Sequence, residues 1–324
     1  VSAPRRILVT GGTGFIGSAV LRALVAGREP AHVVALVRQF PEPDARVWAA
    51  GVEYCAGDLT EERSLRGLCE GVDTLLHCAS YIGPDAEANT RVNELGTHAL
   101  LAEAARASVR RILYVSTTAV YGSGPHRGLA EDTRPPAPAS PTSGSRLLAE
   151  RAVLAAGGTV LRPPFVHGAG DKWVVPAVAE LLHRVTALPD EGRALLSLVA
   201  VEDLARLIAR LALSPEPLPP GAHHAAHPVP VPLRELVARL VDLLGLPAPV
   251  ESLPTEAYLE RLRATPGRVA ERQARMLSED RWYRSALWER VGCPVGPGLD
   301  RLAEHADWYR ELLAPARAQD TARP

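Results

Sequence analysis

Residues 10–17 read TGGTGFIG and join the apolar run RRILVT (5–10) to the helically spaced GSAVLRALVAG (17–27). Gly11, Gly14 and Gly17 stand three apart, at the turn from a first strand into a first helix. Glycine there lets the backbone approach a pyrophosphate, which rests on free N–H groups at the positive end of the helix. Thr13, Phe15 and Ile16 belong to the same turn and count with the glycines as cofactor-binding residues. The position carries the reading: the same spacing elsewhere would be an ordinary glycine-rich turn.

Outward from this turn, strand-like and helical patterns alternate to about residue 165. HVVALVR (32–38), GVEYCAGDLT (51–60), DTLLHCAS (73–80), RRILYVSTT (110–118) and GTVLRPP (158–164) read as strands. ERSLRGLCEG (62–71), NELGTHALLAEAARAS (93–108) and SRLLAERAVLAAG (145–157) read as helices between them. Alternation of this kind predicts βαβ units and an α/β fold: a doubly wound, Rossmann-type parallel sheet. Beyond 166 the pattern loosens into helices at 176–185, 201–213 and 232–245, a strand at GAHHAAHP (221–228), and Arg- and Glu-rich helical stretches over 254–290. The division expected is a dinucleotide-binding domain over 1–167, with strands near 196–200 and 222–227 returning to its sheet or edge. A smaller mixed substrate-binding or lid part follows over 168–313, then a disordered tail over 314–324.

Composition narrows the function. The chain has 324 residues, 47% hydrophobic and 23% charged, with a formal net charge of −1 and only 5% aromatics. That balance argues against nucleic acid or an anionic membrane as partner. No apolar run is long enough to span a bilayer, and no signal-peptide pattern is seen at the start. The four cysteines, Cys55, Cys69, Cys78 and Cys293, form no CxxC, as expected of reduced thiols in a cytoplasm. His223, His224 and His227 cannot converge from one strand, so no metal site is expected.

The end of the second strand reads LVRQ, without the Asp or Glu that would accept from a ribose 2′-hydroxyl. Arg38 stands where a 2′-phosphate would lie, and a guanidinium fits that dianion; NADPH is therefore the expected cofactor.

GDLT (57–60), HCAS (77–80), VNELGT (92–97), STTAVYG (116–122), LRPPFVHG (161–168) and LVAVEDLAR (198–206), in that order, resemble the extended short-chain dehydrogenase/reductase superfamily. The resemblance covers the chain to about residue 310. It implies that Asp58 and Leu59 flank adenine, that Cys78, Ala79 and Ser80 line ribose, and that Asn93 is a structural or relay residue. It implies Thr117 at the catalytic Ser/Thr position, with Ser116 beside it facing cofactor and substrate, and Pro163 to Val166 along the nicotinamide. Tyr81 and His167 follow strand ends and are candidate substrate contacts; Tyr121 is read as structural or pocket-lining.

One motif departs. The family's Tyr-x-x-x-Lys frame falls on PTSGSRLLAE (141–150), where Thr142 takes the Tyr position and Arg146 the Lys position. Lys172 is the only lysine and lies beyond the next strand. Thr142 is left as a tentative catalytic hydroxyl, a far poorer acid than a phenol, whose pKa is about 10. Arg146 keeps a cation for ribose. The whole is similar to atypical ketoreductases of antibiotic pathways. It implies an NADPH-dependent reduction of an aromatic polyketide ketone in which the substrate supplies the proton handling. Two alternatives stand: a nucleotide-sugar epimerase, dehydratase or reductase, and an NADP(H)-sensing binder without turnover. The expected partner is a small aromatic ketone, and the expected state a monomer or homodimer.

Overall fold

The computed structural model describes residues 4–27, 29–40 and 49–314. Seven strands form one parallel sheet. They are β1 (Arg5–Thr10), β2 (Ala31–Val37), β3 (Val52–Ala56), β4 (Thr74–His77), β5 (Arg111–Val115), β7 (Thr159–Arg162) and β12 (Gly221–His224). Their order is β12-β7-β5-β4-β1-β2-β3. The chain winds outward from β1 through β2 to β3, then returns to place β4 on the other flank of β1. The order thus reverses between β1 and β4, and crevices at such reversals hold ligands in open α/β sheets.

Strand alternation decides the layers. Ile7 and Val9 pack with α1 (Phe15–Val25) and α6 (Val201–Leu213). Leu8, between them, enters the opposite core with α3 (Gly96–Arg106) and α4 (Pro141–Ala155). Successive side chains leave opposite faces, so a fully apolar strand demands a helical layer on each. The helix expected over 62–71 is instead a single 3₁₀ turn, Glu62–Leu65, followed by turns. Gly67 and Gly71 take φ of +79° and +67°, which breaks the helix while Leu65, Cys69 and Val72 still reach the core. Asn93 falls inside a π-helical turn, Thr90–Leu95, between α2 (Ala86–Asn89) and α3.

A second lobe stands over the carboxyl ends of the sheet strands. It contains a four-stranded sheet of β13 (Val231–Pro232), β10 (Leu195–Leu196), β15 (Arg281–Tyr283) and β6 (His126–Leu129). Two strand pairs accompany it: β8 (Phe165–His167) with β11 (Leu198–Ala200), and β9 (Ala187–Pro189) with β14 (Glu251–Leu253). The stretch 196–200 therefore does not rejoin the seven-stranded sheet, contrary to expectation. Parallel pairing with β8 seats it beside the segment that leaves β7. The stretch at 221–224 does form that sheet's edge. The helices of this lobe are α5 (Val175–Arg184), α7 (Leu233–Leu244), α8 (Thr255–Arg263), α9 (Glu271–Ser278), α10 (Leu287–Arg290) and α11 (Ala306–Leu313). Its own core joins Val178, Leu182, Leu236, Leu240, Leu259 and Tyr309. The tail expected to be disordered lies outside the described residues from 315 onward. No helix among the described residues is long and apolar enough to cross a membrane.

Candidate active site

The Gly-rich turn is built for close approach. Gly11 takes φ +71°, and a Cβ there would stand 2.5 Å from the backbone nitrogen of Ala79. A Cβ on Gly17 would stand 2.1 Å from the Gly11 carbonyl oxygen. The turn closes on itself through Gly14 N–H donating to Gly11 O at 2.9 Å, and α1 starts with Ser18 N–H on Gly14 O at 2.9 Å. Cβ-free positions at the mouth of α1, touching the end of β4, make the cradle that a dinucleotide pyrophosphate fits.

A hydrogen-bond chain locks this cradle to the neighbouring helix. Ala79 N–H points at Thr10 Oγ1 at 3.4 Å, and Thr10 Oγ1 lies 2.6 Å from His77 Nδ1. His77 Nε2 lies 2.9 Å from Thr97 Oγ1, which itself donates to the Asn93 carbonyl at 2.5 Å. Thr97 has spent its proton, so it accepts from Nε2–H, and Nδ1 accepts from Thr10; this direction fixes the tautomer. Burial, with the charge of Arg146, pushes the His77 pKa down to about 3, so the ring is neutral. Burial also raises the Cys78 thiol to about 12, which makes it inert.

The Asn93 side chain ties three segments together. Its Oδ1 accepts from Tyr81 N–H at 2.7 Å and from Ser80 Oγ at 3.2 Å. Its Nδ2 donates to Ser145 Oγ at 3.0 Å, on α4. The π-turn puts this amide where a regular helix would not, a frequent device at functional sites.

The mouth of α4 is fixed by a reciprocal cap. Ser143 N–H donates to Ser140 Oγ and Ser140 N–H to Ser143 Oγ, both at 3.1 Å, with Pro141 at the first helical position. Thr142 and Arg146 lie one turn apart and both line a cleft of about 660 Å³ between the lobes. Thr142 Oγ1 donates to the Gly83 carbonyl at 3.2 Å. Buried Arg146 donates through Nη2 to the Val115 carbonyl at 2.7 Å, while its Nε has no hydrogen-bond partner among the described residues. Ser116, 1% exposed, also lines the cleft, and its buried hydroxyl has no hydrogen-bond partner among the described residues. Thr117 Oγ1 caps a short 3₁₀ turn by accepting from Ala119 N–H at 3.1 Å.

The sequence profile described as "NAD dependent epimerase/dehydratase family" matches residues 7–224. The chain belongs to that family. Among curated relatives of this epimerase/dehydratase chain is the 4-hydroxy-2-methyl-3-oxo-4-farnesyl-3,4-dihydroquinoline-1-oxide ketoreductase of Stigmatella aurantiaca. It is 34% identical over 266 residues, 78% of this chain and 77% of that protein. The 2-alkyl-3-oxoalkanoate reductase of Stenotrophomonas maltophilia is 30% identical over 257 residues, 75% of this chain and 76% of its own. Among solved structures, the dTDP-glucose 4,6-dehydratase DesIV of Streptomyces venezuelae, with NAD and TYD bound, superimposes with a TM-score of 0.72. It is 26% identical and covers 94% of this chain and 97% of its own. The chain is thus an extended short-chain dehydrogenase/reductase with ketoreductase relatives, in a fold whose solved neighbours hold a nicotinamide dinucleotide.

Within this family member, the sequence-derived site residues fall into three groups. Phe15, Ile16, Ser116, Thr117, Thr142, Arg146, Pro163 and Val166 meet in the cleft. Gly11, Thr13, Gly14, Gly17, Cys78, Ala79 and Ser80 gather at the carboxyl ends of β1 and β4. Exposed Arg38 ends β2, and Asp58 and Leu59 follow β3. Asp58 Oδ1 accepts from Thr60 N–H and Oγ1, both at 2.8 Å, and Leu59 is buried under Gly96.

Two candidates fall elsewhere. His167 is not a cleft residue: parallel pairing with Ala200 turns it toward Glu202 and His305, and burial lowers its pKa to about 4. Tyr81 does not line the cleft either; its hydroxyl lies over Gly83 and its backbone serves Asn93. Sequence reasoning missed Ile82, Trp173, Met276, Arg281 and Tyr283, which do line it. Tyr283 packs with Val120, Tyr121 and Leu147 in a small core cluster and also forms cleft wall. The only sequence signal was the two-residue spacing of Arg281 and Tyr283 in a strand.

Proposed function

We propose that this protein is an NADPH-dependent, cytoplasmic ketoreductase for a carbonyl on an aromatic polyketide of the angucyclinone type, the scaffold class of simocyclinone assembly. One observation carries the reading: the helix mouth that holds the family's Tyr and Lys here offers a Thr hydroxyl bonded to Gly83 O and an Arg bonded to Val115 O. Neither is placed to deliver a proton, while the cradle for the dinucleotide is complete. Two curated relatives are named as reducing ketones, and the name of the first sets a 3-oxo group beside a 4-hydroxyl.

A bound nicotinamide would supply the hydride. The chain's own residues do the remainder. The turn at 11–17 and the Arg38 guanidinium hold the diphosphate and the 2′-phosphate. Arg146, fixed on Val115 O, would hold a ribose hydroxyl through its remaining N–H groups. The Ser116 hydroxyl, at the wall of the cleft, would orient the carbonyl oxygen. Phe15, Pro163, Phe165 and Val166 wall the cleft with apolar surface and keep water from the reacting face. Orientation alone can supply on the order of 7–11 kcal/mol. The general acid, whose loss costs about 10²–10⁴-fold, is replaced by a phenolic hydroxyl next to the substrate ketone, which stabilises the new alkoxide from within the molecule.

The test is loss of NADPH absorbance with three ketone sets: phenol-flanked polycyclic ketones, their methyl ethers, and nucleotide 4-keto sugars. Turnover of the first set and not its ethers supports the reading. Turnover of the sugars alone assigns a nucleotide-sugar enzyme, and binding of NADPH without consumption of any assigns a sensor.

A further inference from the structure

The second lobe gives the cleft a cationic wall. In β15, Arg281 and Tyr283 are two residues apart, leave the same face of the strand, and both line the cleft. Arg281 is 4% exposed. Its Nη1 donates to the Gly122 carbonyl at 3.0 Å, and its Nη2 makes a long ion pair with Glu279 Oε2 at 3.8 Å, without a hydrogen bond. Its Nε is buried without a hydrogen-bond partner among the described residues. Two more guanidiniums, Arg146 and Arg272, line the same space, and no Asp or Glu is found among the described residues that do.

A cation removed from water with an N–H bond unmade is costly, and an anionic acceptor restores the deficit. Beside Arg281 stands the Tyr283 hydroxyl, 2.8 Å from His126 Nδ1 and next to Thr118. Burial pushes the His126 pKa down to about 4, so the ring adds no charge; burial also keeps Tyr283 protonated, and its O–H is open to a ligand when His126 carries its proton on Nδ1. A planar fork and a phenol O–H on one wall match an oxygen pair, not an apolar edge.

We infer that Arg281 and Tyr283 hold an acidic oxygen substituent of the substrate, a carboxylate or an ionised phenol, and so select anionic aromatic ketones over neutral ones. This deepens the reading of the cleft as a ketone-reducing site and rests on it. β15 belongs to the second lobe, whereas Ser116 and Pro163 directly follow strands β5 and β7 of the main sheet, so the anion sits on the side of the ligand turned toward that lobe.

The experiment is calorimetric titration of the NADP⁺-loaded protein with two matched pairs. One is anthraquinone-2-carboxylate and its methyl ester; the other is 2-hydroxy-1,4-naphthoquinone, ionised at neutral pH, and its methyl ether. The anion should bind about ten- to a hundredfold tighter than its neutral partner in at least one pair. Preference in the first pair alone assigns a carboxylate, and in the second alone a phenolate. Arg281→Gln should bring the ratio to near one. Tyr283→Phe, which keeps the ring packing, should reduce it several-fold and serves if Arg281→Gln fails to fold. Equal binding within both pairs, or a ratio unchanged in the variants, overturns the inference. NADPH consumption on neutral phenol-flanked ketones without anion preference sinks this inference alone. Anion preference without any consumption sinks the ketoreductase reading and leaves the binding site standing.

Discussion

The hydroxyl of Thr142 donates to the carbonyl oxygen of Gly83 at 3.2 Å, across the mouth of α4. It therefore staples the loop after β4 to the helix. A group so engaged, and with an alcohol's weak acidity, is not poised to protonate a substrate.

Thr142→Val removes that bond and keeps the shape. Turnover of a phenol-flanked ketone is expected to stay within about fivefold of wild type, well short of the 10²–10⁴-fold that loss of a general acid costs. A collapse of kcat by three orders of magnitude would make Thr142 the acid and end the substrate-assisted account.

Arg38 is exposed just after β2, where the sequence LVRQ carries no acid. Arg38→Ala is expected to weaken NADPH by about tenfold, the discount for an exposed pair included, and to leave NADH nearly unchanged. Affinities of both cofactors decide this directly. An equal loss for the two would mean that Arg38 does not read the 2′-phosphate.

Gly17→Ala puts a methyl 2.1 Å from Gly11 O, against backbone that cannot step aside. Dinucleotide affinity should drop by at least tenfold, and the melting temperature should fall by a few degrees, since about 1 kcal/mol shifts a 150–250-residue domain by about 2–4 °C and a larger chain by less. Gly144→Ala is the control: its Cβ meets nothing within 4 Å, and it sits inside α4, so it should be neutral or slightly stabilising. Normal NADPH titration by Gly17→Ala would contradict the cradle.

The glycine-rich turn and the doubly wound parallel sheet were legible because they depend on local rules. Apolar runs such as ILV at 7–9 must be buried on both faces, and the glycines mark where backbone must come close. The helix expected at 62–71 failed because two left-handed glycines outweighed an apolar spacing that still serves the core. The misplacement of His167 has another cause. Its direction is set by pairing with Ala200, a partner 33 positions away that no local pattern names. Tyr283 and Arg281 escaped notice for the same reason: their strand joins β6 and β10, and only that pairing brings them to the cleft.

Buried neutral histidines make the fold acid-labile over a definable range. His77 and His167 titrate at about 3 and about 4 in the folded chain, against 6.5 when unfolded, both chiefly through burial. Between those values the unfolded chain binds the proton and the folded one does not, so stability rises with pH. It is complete above about 6.5 and erodes as pH falls toward 4, by up to about 1.4 kcal/mol per pH unit for each histidine. His305 acts with the opposite sign. Its close pairing with the Glu202 carboxylate, 3.1 Å away, raises its pKa, so its contribution is present at low pH and fades as pH climbs through the raised value. Urea unfolding at a series of pH values between 7 and 4.5 should therefore give a free energy that falls with acidity. His167→Gln should flatten that slope by about one proton, whatever it does to stability at pH 7. A slope unchanged by the substitution would show that His167 takes up its proton in the folded chain as readily as in the unfolded one.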